Sequence, residues 1–383
     1  MRAIFARAAV CAAWLIMAAN AHAYIGLCCA KCGGNMPMDI PGGGVPETYE
    51  FRLKIQPVFS EMPGLRKGTT NLDPSAILGM PAMGYYMAAP EKMTMRMLNL
   101  ALGYSLSERW FVGAMAMWMD MKMPMRFNRM MQMRTGRAGF TMQARGFADT
   151  MLMAKRLLYA DDVQIPSEEL SLFLGLSVPT GSITKRNTTH PMTMRQKELL
   201  PYPMQLGSGT WDPSVGLLWQ QARSPWWRGV DLRYTTRLGK NSQGWARGDV
   251  LNLDAYLMYQ PHYAFVLYGE ANLRWEGKLR GEAEEARLGR SGHATIGDPR
   301  SPYTTPLWDP RNYGRTTLAA ALGVQWQPKP LMIVDLGVRA PLYERVRGVQ
   351  MRTGVSAMLT LYFEIPTARS IRAQKAADAT LGF

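Results

Sequence analysis

The sequence predicts an all-β protein: an antiparallel transmembrane β-barrel of about twelve strands behind an irregular Cys/Gly/Pro-rich N-terminal arm. Three observations predict it. An export leader opens the chain. From Thr48 onward, segments of about ten residues alternate apolar and polar side chains, the length and period of a tilted membrane strand. The connections between them alternate long and short, as they do when turns face the periplasm and loops face the outside. A soluble β-sandwich explains regular strands but gives no reason for that alternation. No apolar run of about 18 residues follows the leader, so a membrane helix is not expected.

Residues 1–23 read as a signal peptide. Arg2 and Arg7 carry the charge, Ala8–Ala19 form the apolar stretch, and Ala21-His22-Ala23 fits a small-residue cleavage site. Residues 24–47 contain Cys28, Cys29, Cys32, Gly33-Gly34, Pro37, Pro41, three consecutive glycines and Pro46, and are expected to form a periplasmic, plug-like arm. The barrel is expected over 48–365 and a tail over 366–383. Its strands are predicted at 49–59, 92–105, 109–126, 147–159, 168–178, 210–221, 228–238, 249–259, 264–275, 314–326, 332–340 and 350–363. The long connections are then 60–91, 127–146, 179–209, 239–248, 276–313 and 341–349.

Facing follows from parity. Leu98, Leu100, Leu102 and Tyr104 share the lipid face of the second strand, which turns Asn99 inward. Trp110, Val112, Ala114, Ala116 and Trp118 share the lipid face of the third. Its two tryptophans lie about 20 Å apart along the membrane normal, near the height of an apolar band flanked by aromatic girdles. Tyr256, Tyr263, Phe265 and Tyr268 are expected in the periplasmic girdle.

Thirty methionines are the compositional outlier. The assigned faces turn Met93, Met95 and Met97 of the second strand inward, with Met115, Met117, Met119, Met121, Met123 and Met125 of the third. Met151 and Met153 of the fourth share a face with Asp149 and Lys155. With Asn99, these residues are the candidate lumen and solute-contacting set, joined by Arg96 as a selectivity charge. Thioethers are flexible, polarizable apolar groups suited to an adaptable apolar surface. They are also soft donors that select Cu(I). A second soft cluster is Cys28, Cys29 and Cys32 beside Met36 and Met38, a candidate metal site on the arm.

No catalytic constellation is visible. The four histidines are scattered, and no nucleophile elbow, phosphate loop or HExxH occurs. Cys29-Ala30-Lys31-Cys32 has no following His for haem attachment and no second CxxC for a Cys₄ zinc site. Asp161-Asp162 with Glu168-Glu169, and Glu282, Glu284 and Glu285 with Arg280 and Arg287, read as solvated charge. The formal net charge of +15 is spread without a Lys/Arg block, which suits lipopolysaccharide phosphates or a pore lining rather than nucleic acid.

Three stretches carry a resemblance. Gly146-Phe147-Ala148-Asp149 opens a strand, Pro179-Thr180-Gly181-Ser182 ends one, and Leu206-Gly207-Ser208-Gly209-Thr210-Trp211-Asp212-Pro213 begins another. Together they resemble the outer-membrane transporter-like family named for the meta-pathway of phenol degradation, which is similar to fatty-acid-channel β-barrels. The resemblance implies a passage for small, often aromatic compounds and carries no catalytic residues.

The expectation is therefore a non-enzymatic channel in the outer membrane of a Gram-negative bacterium. It passes small apolar or aromatic solutes through a Met-lined lumen and needs no cofactor. One alternative is a Cu(I)-binding or Cu(I)-transporting barrel using Met and the arm cysteines; another is an anchor holding a periplasmic partner through the arm. The expected surroundings are outer-membrane lipid and lipopolysaccharide.

Overall fold

The computed structural model describes residues 36–41, 48–163, 166–370 and 372–373. The leader at 1–23 and the cysteine cluster Cys28, Cys29 and Cys32 lie outside the described residues. Among the described residues, twelve antiparallel strands close into one ring. They are β1 (Glu50–Pro63), β2 (Lys92–Ser107), β3 (Trp110–Phe127), β4 (Thr150–Ala160), β5 (Glu168–Val178) and β6 (Asp212–Arg223). The second half is β7 (Trp226–Thr235), β8 (Val250–His262), β9 (Phe265–Glu276), β10 (Arg315–Lys329), β11 (Met332–Met351) and β12 (Ser356–Pro366). Each pairs with its neighbours in sequence. Closure comes from β1 against β12, with Glu50 opposite Pro366 and Ser60 opposite Ser356. The closed ring leaves no unpaired edge in the apolar layer, the condition for a sheet to span lipid.

Sequence and environment agree strand by strand. Leu100, Leu102, Leu152, Leu174, Val230, Leu253, Leu322 and Leu336 stand exposed on the outer wall. Trp110, Trp226, Tyr259 and Tyr263 bound this band at the turn end, and Trp118, Trp211, Tyr234 and Trp275 at the loop end. Trp110 to Trp118 and Trp226 to Tyr234 each span eight residues. At about 3.3 Å per residue and a tilt of about 40°, both intervals rise roughly 20 Å, close to a bilayer's apolar height. Tyr256 and Tyr268 depart from expectation: both are buried and face the lumen, donating to Gln220 and Asp335. Their parity puts them opposite Leu257, Tyr259 and Leu267, which take the lipid side.

The strands outgrow the membrane at the loop end. The segment Gly139–Phe147, expected as loop, pairs with the outer half of β3 and continues the line of β4 across a break at Ala148-Asp149. The expected loop at 341–349 is likewise strand, because β11 runs on to Met351 and pairs there with Leu65–Gly68. These extensions, the helix α1 (Arg129–Thr135) and the loops over 179–211 and 277–314 form a cap on the outer mouth. Its apolar core gathers Met93, Met121, Met123, Met125, Phe127 and Met131 with neighbouring loop residues. The loop residues Leu199, Tyr202, Trp245 and Trp308 form a smaller core beside it.

Candidate functional site

The inner wall at membrane level is polar, as a barrel interior is, and several of its groups pair with one another across neighbouring strands. Lys155 on β4 reaches Glu169 on β5 at 3.4 Å, and Gln220 on β6 donates to the same carboxylate. Arg233 pairs with Asp231 on β7 and lies 4.7 Å from the Phe173 ring centroid. Asn99 donates to Gln56 at 3.1 Å, and Gln56 donates to Thr360 at 3.0 Å, tying β2, β1 and β12.

Residues 36–41 of the arm lie inside the ring at the turn end. Met36, Met38 and Ile40 pack among Leu218, Trp227, Met258, Val266, Ile333 and Tyr362. Polar ties hold the backbone there: Gln325 donates to the Met36 carbonyl at 2.8 Å, and Lys54 donates to the Met38 carbonyl. Arg339 pairs with Asp39 at 2.6 Å and also with Glu270. Where the tail was expected, Arg372 meets Glu364 at 2.6 Å and Glu50 at 3.2 Å at the same end.

Between arm and wall lies a cavity of about 110 Å³. Its apolar side is Ile40, Ala101, Phe111, Met115, Met153 and Tyr362, and its polar side is Arg52, Lys54, Gln56 and Asn99. The Arg52 guanidinium stacks over Phe111 at 5.4 Å and over Tyr362 at 4.8 Å. Gly103 makes room for this: a Cβ there would stand 2.2 Å from the Phe111 ring. The polar set was readable in β1, where Arg52, Lys54 and Gln56 alternate with Phe51, Leu53 and Ile55. The arm residues Asp39 and Ile40 carried no comparable signal.

The methionines and their polar companions sort by height. Asn99, Met115, Met117, Met151 and Met153 face inward at membrane level, and Met97 and Met119 stand opposite each other at its outer edge. Met95 is partly buried against the cap core. Met93, Met121, Met123 and Met125 are 3%, 2%, 0% and 2% exposed, so they are close-packed core rather than open lining. Lys155 is buried against Glu169 rather than presented to a passing solute. Glu169, expected as solvated, is buried in the same pair. Arg96 is corrected as well: it sits on the outward parity of β2, exposed, opposite Asp120. Met36 and Met38 are buried in the turn-end core. Among the described residues, no group of three or more His, Cys, Asp or Glu is placed to hold a metal ion.

Asp149 is also engaged. One carboxylate oxygen accepts from the Gly181 N–H at 2.8 Å, and the other accepts from the Ser208 N–H at 2.6 Å and the Ser208 hydroxyl at 2.9 Å. The three motif stretches therefore converge on one carboxylate at the outer mouth. Gly181 and Gly207 pass so closely that a Cβ on Gly207 would stand 2.5 Å from the Gly181 carbonyl oxygen. Thr210 donates to Asp212 at 2.6 Å, and Arg237 pairs with the same Asp212 at 2.6 Å, fixing the start of β6.

Beyond the membrane, His190 stands edge-on to Phe140 at 4.6 Å and to Phe127 at 5.5 Å, and its Nδ1 accepts from the Met192 N–H. Burial, helped by the nearby Arg195 charge, holds its imidazole down at about 4. Burial pushes the neighbouring Glu198 carboxyl up, although Arg195 at 2.8 Å pulls the other way. At the periplasmic turn, Asp161 accepts from Ser167 and Glu168, and those bonds hold its carboxyl down at about 2.

No protein-family model matches the sequence, and no curated protein matches it. Among solved structures, the chain is similar to the crystal structure of an outer membrane channel from Pseudomonas putida F1. The two share 9% identity and a TM-score of 0.53, over 86% of this chain and 100% of that one. More distant are the transport unit of the autotransporter AIDA-I from Escherichia coli (10% identity, TM-score 0.41, 87% and 94% covered) and the CymD monoaromatic hydrocarbon channel (8%, 0.35, 84% and 89%). The closed ring, the apolar band and the two girdles make this chain an outer-membrane β-barrel.

Proposed function

We propose that the protein is a gated outer-membrane channel for small apolar or aromatic solutes. The lumenal cavity carries this reading. An apolar cavity of about 150 Å³ holds benzene; this one, at about 110 Å³, is smaller and would take a single ring or a compact aliphatic group as its lining re-packs. Phe111 and Tyr362 offer faces to stack on, and Met115 and Met153 can re-pack around different shapes. The polar side supplies a role for one substituent. Lys54 donates to the Met38 carbonyl, so a solute acceptor that took the Lys54 ammonium would loosen the arm. Entry and gate opening would then be one event. The fold shared with an outer membrane channel and the motif resemblance support the reading.

Cavity filling tests it. Ala101 lines the cavity from β2 opposite Lys54. In proteoliposomes, Ala101→Phe should abolish most uptake of one-ring solutes while the folded, heat-modifiable band persists. Uptake equal to wild type would remove this cavity from the path.

A further inference from the structure

The odd positions 93–97 on β2 and 119–125 on β3 are all methionine, whereas the positions between them on the outer face are Thr94, Arg96, Asp120, Lys122 and Pro124. An apolar core requires only that its inward side chains be apolar. Ala and Phe serve elsewhere on the inward face of the same two strands, at Ala101 and Phe111. Something beyond hydrophobicity therefore selects methionine here, and its distinctive properties are flexibility and sulfur. Flexibility serves a surface that re-packs against a visitor. Met93, Met121, Met123 and Met125 are no such surface, because the cap buries them. That leaves the sulfur.

The register lines the sulfurs up. Met62 on β1 is the cross-strand partner of Met93 on β2. Thr94 pairs with Lys122, which sets Met93 beside Met123 on the same face. Met123 is the partner of Met142 on the outer segment Gly139–Phe147. Four methionines thus stand in one row across four adjacent strands spaced about 4.8 Å apart, all packed in or against the cap core. The next rung down pairs Met95 with Met121, and the one below it pairs Met97 with Met119. Three neighbouring side chains in such a row can turn their sulfurs toward a common point. No carboxylate belongs to the row, so a hard divalent cation entering it would lose its water and gain no compensating charge. Neutral thioethers suit a soft monovalent ion.

We infer that the row Met62–Met93–Met123–Met142 in the outer cap is a thioether site for Cu(I), and for Ag(I) as its redox-stable counterpart. The site is separate from the cavity at the turn end and does not depend on the channel reading.

The test uses the full-length protein in detergent, with Cys11→Ser, Cys28→Ser, Cys29→Ser and Cys32→Ser removing the competing thiols. Cu(I) is titrated anaerobically against a chromophoric Cu(I) chelator, and Ag(I) binding is counted by native mass spectrometry. One ion per chain is expected. Met93→Leu, Met123→Leu and Met142→Leu together should weaken binding at least tenfold, whereas Met115→Leu with Met153→Leu should leave it unchanged. In case the triple variant fails to fold, the same protein carrying selenomethionine keeps its packing, and its Cu absorption spectrum should show a selenium shell. No binding in the cysteine-free protein, binding indifferent to the three Leu changes, or a Cu spectrum without selenium would each overturn the site. Solute uptake, measured separately, reports on the channel alone.

Discussion

Replacing Asp149 with Ala should open the outer mouth without unfolding the barrel. Its carboxylate accepts three hydrogen bonds, from the Gly181 N–H, the Ser208 N–H and the Ser208 hydroxyl. A bond to an ionised acceptor contributes about 1.5–3 kcal/mol. The group is only half-buried and the three bonds share one acceptor, so their joint loss is not additive. Taking less than the low end for each gives about 3 kcal/mol. That is roughly a hundredfold rise in the population of the opened loop. The loss is local, because the ring pairs continue below Asp149, from Thr150 opposite Val178 downward. Lys185, Arg186 and Lys197 lie in the released loop, so trypsin cleavage there should accelerate about a hundredfold, following the opening equilibrium. The folded barrel band on a gel should stay. Gly207→Ala should give the same pattern by another route, since its Cβ would collide with the backbone of Gly181. The double variant should be little worse than either single one. Cleavage within threefold of wild type in Asp149→Ala would refute the staple.

Three further outcomes are expected. Lys155→Ala leaves Glu169 buried without its cation, a change that costs about 3–5 kcal/mol, so the temperature at which the folded gel band disappears should fall. Adding Glu169→Gln should restore more than half of that fall, and no restoration would show the pair is not the cause. His190 is held neutral, its folded value of about 4 lying below the unfolded value near 6.5. The stability this contributes is present above about pH 6.5 and is lost as pH falls toward 4, by about 2 kcal/mol after allowing for partial hydration. Tryptophan fluorescence of the cap, which contains Trp245 and Trp308, should therefore change over that window in wild type and much less in His190→Gln. Finally, Arg339→Met removes the arm's partner for Asp39, so single-channel conductance in planar bilayers should rise, and unchanged conductance would show that the arm is held by other contacts.

How much of this was legible in the sequence depended on whether one period ruled a segment. In β3 the lipid face is Trp, Val, Ala, Ala, Trp and the inner face is Phe, Gly and methionines, so strand, facing and girdle height all follow from parity. Parity failed where both faces are apolar. Around Tyr256 and Tyr268 aromatic residues occupy both sides of β8 and β9, and only the hydroxyl partners inside the lumen decide the facing. The segment 139–147 reads as loop because its outward residues are polar. Its outward face meets water above the girdle, not lipid, so a membrane pattern was the wrong template. Asp149 looked like a free lumenal charge because its partners, Gly181 and Ser208, are 32 and 59 residues away. Parity likewise turned the methionines inward, but only the cap distinguishes those at the lumen from those in a packed core.

The described arm residues and the cap are held by different physics, and in the proposed channel this would constrain how the protein opens. The cap is held mainly by an apolar core of methionine, leucine and phenylalanine, with the Asp149 staple pinning one edge. Such a core weakens little with salt and loosens by local unfolding. The arm also buries Met36, Met38 and Ile40, but its position is fixed by Lys54, Gln325 and the Arg339–Asp39 pair. In the proposed channel those ties could be exchanged one at a time for ties to a solute. A ligand can shift an equilibrium only by its differential affinity for the two states. In the proposed channel that difference would be available at the arm, where a solute acceptor would compete with the Met38 carbonyl for one ammonium. In the cap core an apolar solute finds no polar tie to replace. On the proposed function, the arm end is therefore the side where solute chemistry would drive opening, and the cap the side where protein stability would set the rate.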